Sequence, residues 1–362
     1  MSELKQRIAA QIAAGGPISV AEYMALCLFD PRHGYYTTRE PFGIAGDFTT
    51  APEISQMFGE LVAVWLRTAW EAAGRPSPFI LAEIGPGRGT LMKDMLRTLS
   101  KLDPGFLAQA SVAMVETSPR LAEVQRKTLA DAPAPVEWAQ DIEALAPLPL
   151  FIVGNELFDA IPIRQFVRAA GTWRERAVAL DDAGNLQFVA GAGSLDPALL
   201  PPDPADAAEG AIVELAPARS ALMETIAARI ASHGGVGLFI DYGYLSPGVG
   251  DTLQALRKHR YEDVLENPGL ADLTTHVDFH ALAQAARSHG LDARLSTQGD
   301  FLLGLGLLER AGRLGANADA AGRDKIHSEV ERLAGPDSMG NLFKVLAVTP
   351  PGIAVPPFAD PD

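Results

Sequence analysis

The chain has 362 residues and a formal net charge of −15. That length allows one large or two ordinary domains with an ample core, and that charge argues against nonspecific binding to nucleic acid or anionic membrane, which want basic surface. The single Cys27 excludes an internal disulfide, no Cys/His cluster has metal-ligand spacing, and no run approaches the ~18 apolar residues of a membrane span. A lone thiol suits a reducing compartment. Residues 1–7 begin a polar amphipathic helix and lack the apolar core of a signal peptide. The expected location is cytoplasmic.

Residues 1–15 read as a helix closed by Gly15, Gly16 and Pro17, and Ser19 with Glu22 forms a capping box for a second helix running to about Leu28. Cys27 lies in that helix as a packed thiol. A turn-rich loop follows, then a Gly-punctuated polar stretch from Gly43 to Ser55 that leads into a helix towards Trp70. Thr49, Thr50, Pro52 and Glu53 are either one wall of a ligand pocket or the ordinary chemistry of a helix start, with Thr50 as cap.

Phe79 to Ile84 is a buried strand that reaches Gly85, Gly87 and Gly89 and then turns helical to about residue 101. Glycines allow positive φ and a close backbone approach to a ligand. The spacing is not the G-x-G-x-x-G of a dinucleotide site. The pattern E-x-G-x-G-x-G from Glu83 resembles motif I of class I S-adenosylmethionine (SAM) methyltransferases. A carboxylate at the turn is unhelpful beside a pyrophosphate and helpful beside the ammonium of SAM. From the turn alone, a structural bend, a dinucleotide site and a SAM site all remain open.

A second strand over 112–116 ends at Glu116, placed to accept hydrogen bonds from the two hydroxyls of a ribose, and Ser118 and Pro119 start a helix to about residue 130. NAD and SAM share that ribose. A third strand over 135–138 precedes Asp141 and Ile142. In methyltransferases this position holds the adenine amino group and flanks the ring; Asp141 as a helix cap is the equal alternative. The fourth strand, 150–154, leads to Asn155, Glu156, Phe158 and Asp159, on the rim where open α/β sheets bind ligands.

Alternation of strand and helix predicts a mostly parallel sheet with helices on both faces. Residues 164–216 alternate like strands and read as a β insertion, and a helix over 217–232 returns to the core. A fifth strand from Gly235 ends at Asp241 and Tyr242. Arg257, Lys258, His259 and Arg260 form the most basic patch, and His276, whose unperturbed pKa is near neutrality, precedes a helix over 278–289. Helices over 299–311 and 322–334, a strand over 342–348 and a loose Pro-rich tail over 350–362 complete the chain. The expected divisions are a helical cap (1–60), a core (61–163 and 217–349), the insertion (164–216) and the tail.

Five stretches together, at 47–60, 83–89, 155–162, 240–244 and 274–279, resemble the MidA-like methyltransferases, a family that includes the mitochondrial assembly factor of respiratory complex I. The resemblance runs from about Ser19 to Val348. It implies a class I, Rossmann-like SAM-dependent fold and, for the mitochondrial branch, arginine methylation of a complex I subunit. The expected cofactor is SAM, held by Thr49, Thr50, Pro52, Glu83, Gly85, Gly87, Gly89, Glu116, Asp141, Ile142 and Asn155. Carboxylates would orient a protonated guanidinium and accept its proton: Glu156 and Asp159 first, Asp241 and His276 second. The expected partners are a protein substrate and a second copy of the chain. An NAD-dependent oxidoreductase and a non-catalytic assembly factor are the rival readings.

Overall fold

The computed structural model describes residues 2–38, 50–202 and 207–358. Contacts gather the chain into two compact units. One comprises Thr49–Leu157, Leu222–Leu245 and Phe279–Asp362; the other comprises Met1–Phe48, Phe158–Ala221 and Ser246–Asp278.

The first unit opens with the short helix α1 (Ala51–Ile54) and the long helix α2 (Gln56–Ala72), separated by Ser55 in extended conformation. Then come β1 (Phe79–Ile84), α3 (Thr90–Leu102), β2 (Ala110–Val115), α4 (Pro119–Thr128), β3 (Val136–Ala139) and β4 (Leu150–Asn155). Strand β5 (Gly235–Tyr244) follows the helix Pro217–His233, and β6 (Asp292–Thr297) and β7 (Phe343–Thr349) are the last two strands on the main path of the sheet. Its order is β3-β2-β1-β4-β5-β7-β6. Strands β3 to β5 along this order are mutually parallel, while β7 runs antiparallel to both β5 and β6.

Every residue of β1 and β4 is buried. Unbroken apolar runs of this kind belong to central parallel strands covered on both faces. The core is locked by aromatic rings: Phe79 lies 4.8 Å from Phe106 and 5.3 Å from Phe151, and Trp70 lies 5.1 Å from Phe106. The sheet order reverses between β1 and β4, so the crevice beyond their carboxyl ends is where an open sheet of this type binds its ligand. The expected tail is in fact docked. Val355 is buried, and the Phe358 ring lies 6.1 Å from Trp65 and 5.5 Å from Phe301. The expected helix over 299–311 is split into Gln298–Gly304 and Leu307–Gly315 by Gly306 at φ 88°.

The second unit joins the helices Glu3–Gly15 and Val20–Phe29 to the β-rich segment. Its larger sheet contains Ile18–Ser19, Arg164–Ala169, Thr172–Leu180, Leu186–Ser194 and Ile212–Leu215, all antiparallel. The expected capping box is present, with both reciprocal bonds between Ser19 and Glu22. Burial pushes the Cys27 thiol up to about 12, so it serves packing rather than nucleophilic chemistry. A smaller sheet is built from Gln254–Arg257, Arg260–Glu262 and Asp272–Thr274. The basic patch is its hairpin, with Lys258 and His259 at φ 51° and 60°. That pair does not carry the Asn-Gly signature of such a turn.

Candidate active site

The glycine turn begins where β1 ends. Gly85, Gly87 and Gly89 have φ of 62°, 52° and 79°, the left-handed region that a side chain resists. The Gly85 N–H donates to Val115 O at 3.1 Å, and Gly89 N–H donates to Pro86 O at 2.8 Å. A Cβ on Gly85 would stand 2.7 Å from Leu157 Cδ1, so the segment after β4 is pressed against the turn. Glu83 is buried in β1, and its Oε2 accepts from Met92 N at 3.0 Å. Met92 is the third residue of α3, so a strand carboxylate serves as the helix cap. Burial pushes Glu83 up to about 8; the Met92 bond opposes this and the Glu116 charge adds to it.

Glu116 stands at the carboxyl end of β2. Its Oε1 accepts from Ser118 N at 2.7 Å and its Oε2 from Gln125 Nε2 at 2.9 Å. Burial raises its pKa against the pull of those bonds. Gln125, on α4, is fully buried. The same Nε2 donates to Gly87 O at 2.9 Å, and its Oε1 accepts from Trp138 Nε1 at 2.9 Å. One amide thus ties the glycine turn, the tip of β2 and β3 together. Gln125 was not among the residues expected at the site. The available signal was a glutamine on the inward face of an amphipathic helix, beside Leu121 and Ala122. Asp141 is exposed, and its Oδ1 accepts from Ala144 N at 2.7 Å, as a capping residue does; Ile142 is buried.

At the end of β4, Asn155 Nδ2 donates to Glu156 Oε1 at 3.0 Å, and the buried Asn155 Oδ1 has no hydrogen-bond partner. Glu156 has φ 51°, uncommon for a residue with a side chain. Its N–H donates to Ile240 O at 2.8 Å, and its Oε1 receives a longer bond from Ala51 N at 3.4 Å. Thr50 occupies the N-cap position of α1, but its side chain makes no capping bond; Pro52 is buried in the first turn. Arg88, within the glycine turn, reaches Glu53 Oε1 at 3.5 Å. Thr50, Pro52, the glycine turn, Glu83, Glu116, Asn155 and Glu156 all belong to one unit, within which Ala51 N reaches Glu156 and Gln125 joins Gly87 to Glu116. Thr49 lies outside the described residues.

Asp241 belongs to the same unit but is fully buried in β5, across from Lys344, with Oδ1 accepting from Tyr242 N at 2.9 Å. Asp159 and His276 belong to the other unit. There the buried Arg219 organises them: its Nη2 donates to Asp159 O at 2.9 Å and to Thr275 Oγ1, its Nη1 to His276 O at 2.8 Å, and its Nε to Ile161 O at 3.2 Å. Arg219 also escaped the sequence reading. A cation in the first turn of the helix Pro217–His233 opposes the helix dipole, which was its visible signal.

Acceptors dominate the β1–β4 rim: two carboxylates at Glu83 and Glu116, a third at Glu156, and the orphan Asn155 Oδ1. A pyrophosphate needs the opposite inventory. This acceptor set fits a ligand that carries hydroxyls and a positive charge, and SAM is such a ligand.

Comparison with known proteins agrees with this chemistry. A family model described as "Putative S-adenosyl-L-methionine-dependent methyltransferase" matches residues 61–297. The chain is 36% identical over 367 residues to the Danio rerio protein arginine methyltransferase NDUFAF7, mitochondrial, covering 95% of this chain and 86% of that one. It is 34% identical over 372 residues to the Homo sapiens protein of the same name, covering 94% and 82%. A solved structure from Burkholderia thailandensis, described as a "likely methyl transferase" bound to S-adenosyl-homocysteine, superposes with a TM-score of 0.85 at 32% identity, covering 97% of this chain and 92% of that one. The expectation of a cytoplasmic protein is corrected by these relatives, which are mitochondrial by name. A single buried thiol reports that no internal disulfide forms; it carries no address. The chain belongs to the "Putative S-adenosyl-L-methionine-dependent methyltransferase" family, whose model matches its residues 61–297.

Proposed function

We propose that the protein methylates a side chain of a protein substrate, with the arginine guanidinium as acceptor. The observation that carries this reading is the Asn155–Glu156 rim: a buried amide oxygen without a partner beside a carboxylate held in strained backbone. SAM, when bound, supplies the electrophilic methyl group. Glu116 would hold the ribose hydroxyls, the glycine turn would accommodate the methionine portion, and Glu83 would face its ammonium. Glu156 and Asn155 Oδ1 would accept hydrogen bonds from the guanidinium, which is protonated in solution at neutral pH. Holding the nucleophile in line is most of the work, and a carboxylate then takes the proton that leaves.

The names of the relatives support arginine as the acceptor. The resemblance seen in the sequence extends the proposal to a subunit of respiratory complex I. Two measurements test it. Calorimetry with S-adenosylhomocysteine should show binding where NAD gives none. Labelled SAM with a lysate from a deletion strain should then mark a protein, and mass spectrometry should place the methyl on arginine. Label on another residue type, or NAD binding in place of S-adenosylhomocysteine, overturns the reading.

A further inference from the structure

We propose that Gln125 is a positioning residue for the ribose of the cofactor: it orients the Glu116 carboxylate and ties that orientation to the glycine turn. This rests on the reading of Glu116 as the ribose acceptor. Gln125 is fully buried and all its polar atoms are engaged with named partners: Nε2 with Gly87 O and Glu116 Oε2, both at 2.9 Å, and Oε1 with Trp138 Nε1 at 2.9 Å.

The indole N–H can only donate. It therefore fixes which end of the amide faces it. A reversed amide would set its NH2 against the indole N–H and its oxygen against a carboxylate and a carbonyl. Trp138 thus determines that Gln125 donates towards Glu116 and Gly87. The carboxylate has roughly four acceptor positions. Ser118 N takes one on Oε1 and Gln125 takes one on Oε2, and the Thr117 N–H also donates to this carboxylate, so these donors set which of its remaining lone pairs face a ribose. Rotation of the carboxylate would break one of these bonds. Because the same NH2 holds Gly87 O, the hydroxyl-binding end and the glycine turn keep a fixed relation.

The test is calorimetry of the full chain with S-adenosylhomocysteine and with its 2′-deoxyribose analogue. A charge-assisted hydrogen bond makes the wild-type preference for the hydroxylated ligand roughly 10–100-fold. In Gln125→Leu and in Gln125→Glu the preference should fall to within about threefold. Gln125→Leu also strands the Trp138 N–H, so the double variant Gln125→Leu/Trp138→Phe is compared by melting temperature. It should regain stability over the single variant without regaining the ligand preference, whereas a purely structural glutamine would recover both. A wild-type ratio in the double variant or in Gln125→Glu overturns the proposal while leaving the site reading intact. A wild-type ratio in Glu116→Ala overturns the site reading itself, and this proposal with it.

Discussion

Glu156, the base in the proposed reaction, has its backbone held where a side chain is disfavoured. A left-handed residue that is not glycine costs about 1–3 kcal/mol and persists only when its surroundings over-determine it. Here Ile240 O, Asn155 Nδ2 and Ala51 N do so. Glu156→Gln keeps the shape and removes the base. It should leave S-adenosylhomocysteine affinity within about threefold and lower kcat by roughly 100-fold or more, read with labelled SAM and the true acceptor. Normal turnover would remove Glu156 from the mechanism. Glu83 makes a separate prediction. Its folded pKa of about 8 lies above the ordinary 4.5, so its contribution to stability is present in acid and is lost as pH rises through about 8. Urea unfolding of the ligand-free protein should show Glu83→Gln gaining on the wild type between about pH 5 and about pH 8. A bound ammonium favours the ionised form, so S-adenosylhomocysteine binding near neutral pH should release a proton. Calorimetry in buffers of different ionisation enthalpy reads that release, and Glu83→Gln should abolish it.

At the scale of elements, the glycine turn and the last segment carry the clearest tests. Gly85→Ala meets both a left-handed φ and Leu157 Cδ1 at 2.7 Å, whereas Gly89→Ala meets a left-handed φ and ordinary contacts starting at 3.5 Å. Each should lose about 1–2 kcal/mol to backbone strain, and Gly85→Ala should lose more because Leu157 must move. Chemical unfolding of the two variants checks the order, and equal losses would show that the loop after β4 yields freely. Deleting residues 354–362 removes Val355 and Phe358 from the Trp65 and Phe301 rings. The cost should be about 2–4 kcal/mol, with a change in tryptophan emission. Such docking was illegible in the sequence because a Pro-rich end carries no periodicity. The β1, β2 and β4 strands were legible as continuous apolar runs, and their acids and glycines as rim residues. The hairpin at 254–262 was not, since Lys258 and His259 stand where Gly or Asn would have announced a turn. Gln125 and Arg219 were passed over because each is a single polar residue whose partners lie in other elements.

For the whole molecule, the sequence order concealed which segments belong together. The helices at the amino end join the β-rich segment 164–216, and α1 and α2 join the sheet. Those unions rest on contacts far apart in the chain, which local pattern does not encode. The antiparallel placement of β7 between β5 and β6 is equally non-local. Charge, by contrast, is a property of the whole chain and is read directly. At −15 the protein carries a field that favours approach of a cationic substrate. Exposed charges are screened beyond about 10 Å at 0.1 M salt. If the acceptor is an arginine in a basic protein segment, kcat/KM should fall about tenfold between roughly 0.05 M and 0.5 M salt. Affinity for S-adenosylhomocysteine, which carries no net charge, should change far less. The two titrations are run on one preparation, so a loss of folded protein would lower both. A kcat/KM independent of salt would mean that the acceptor is not drawn in by the acidic surface, and would count against a basic substrate.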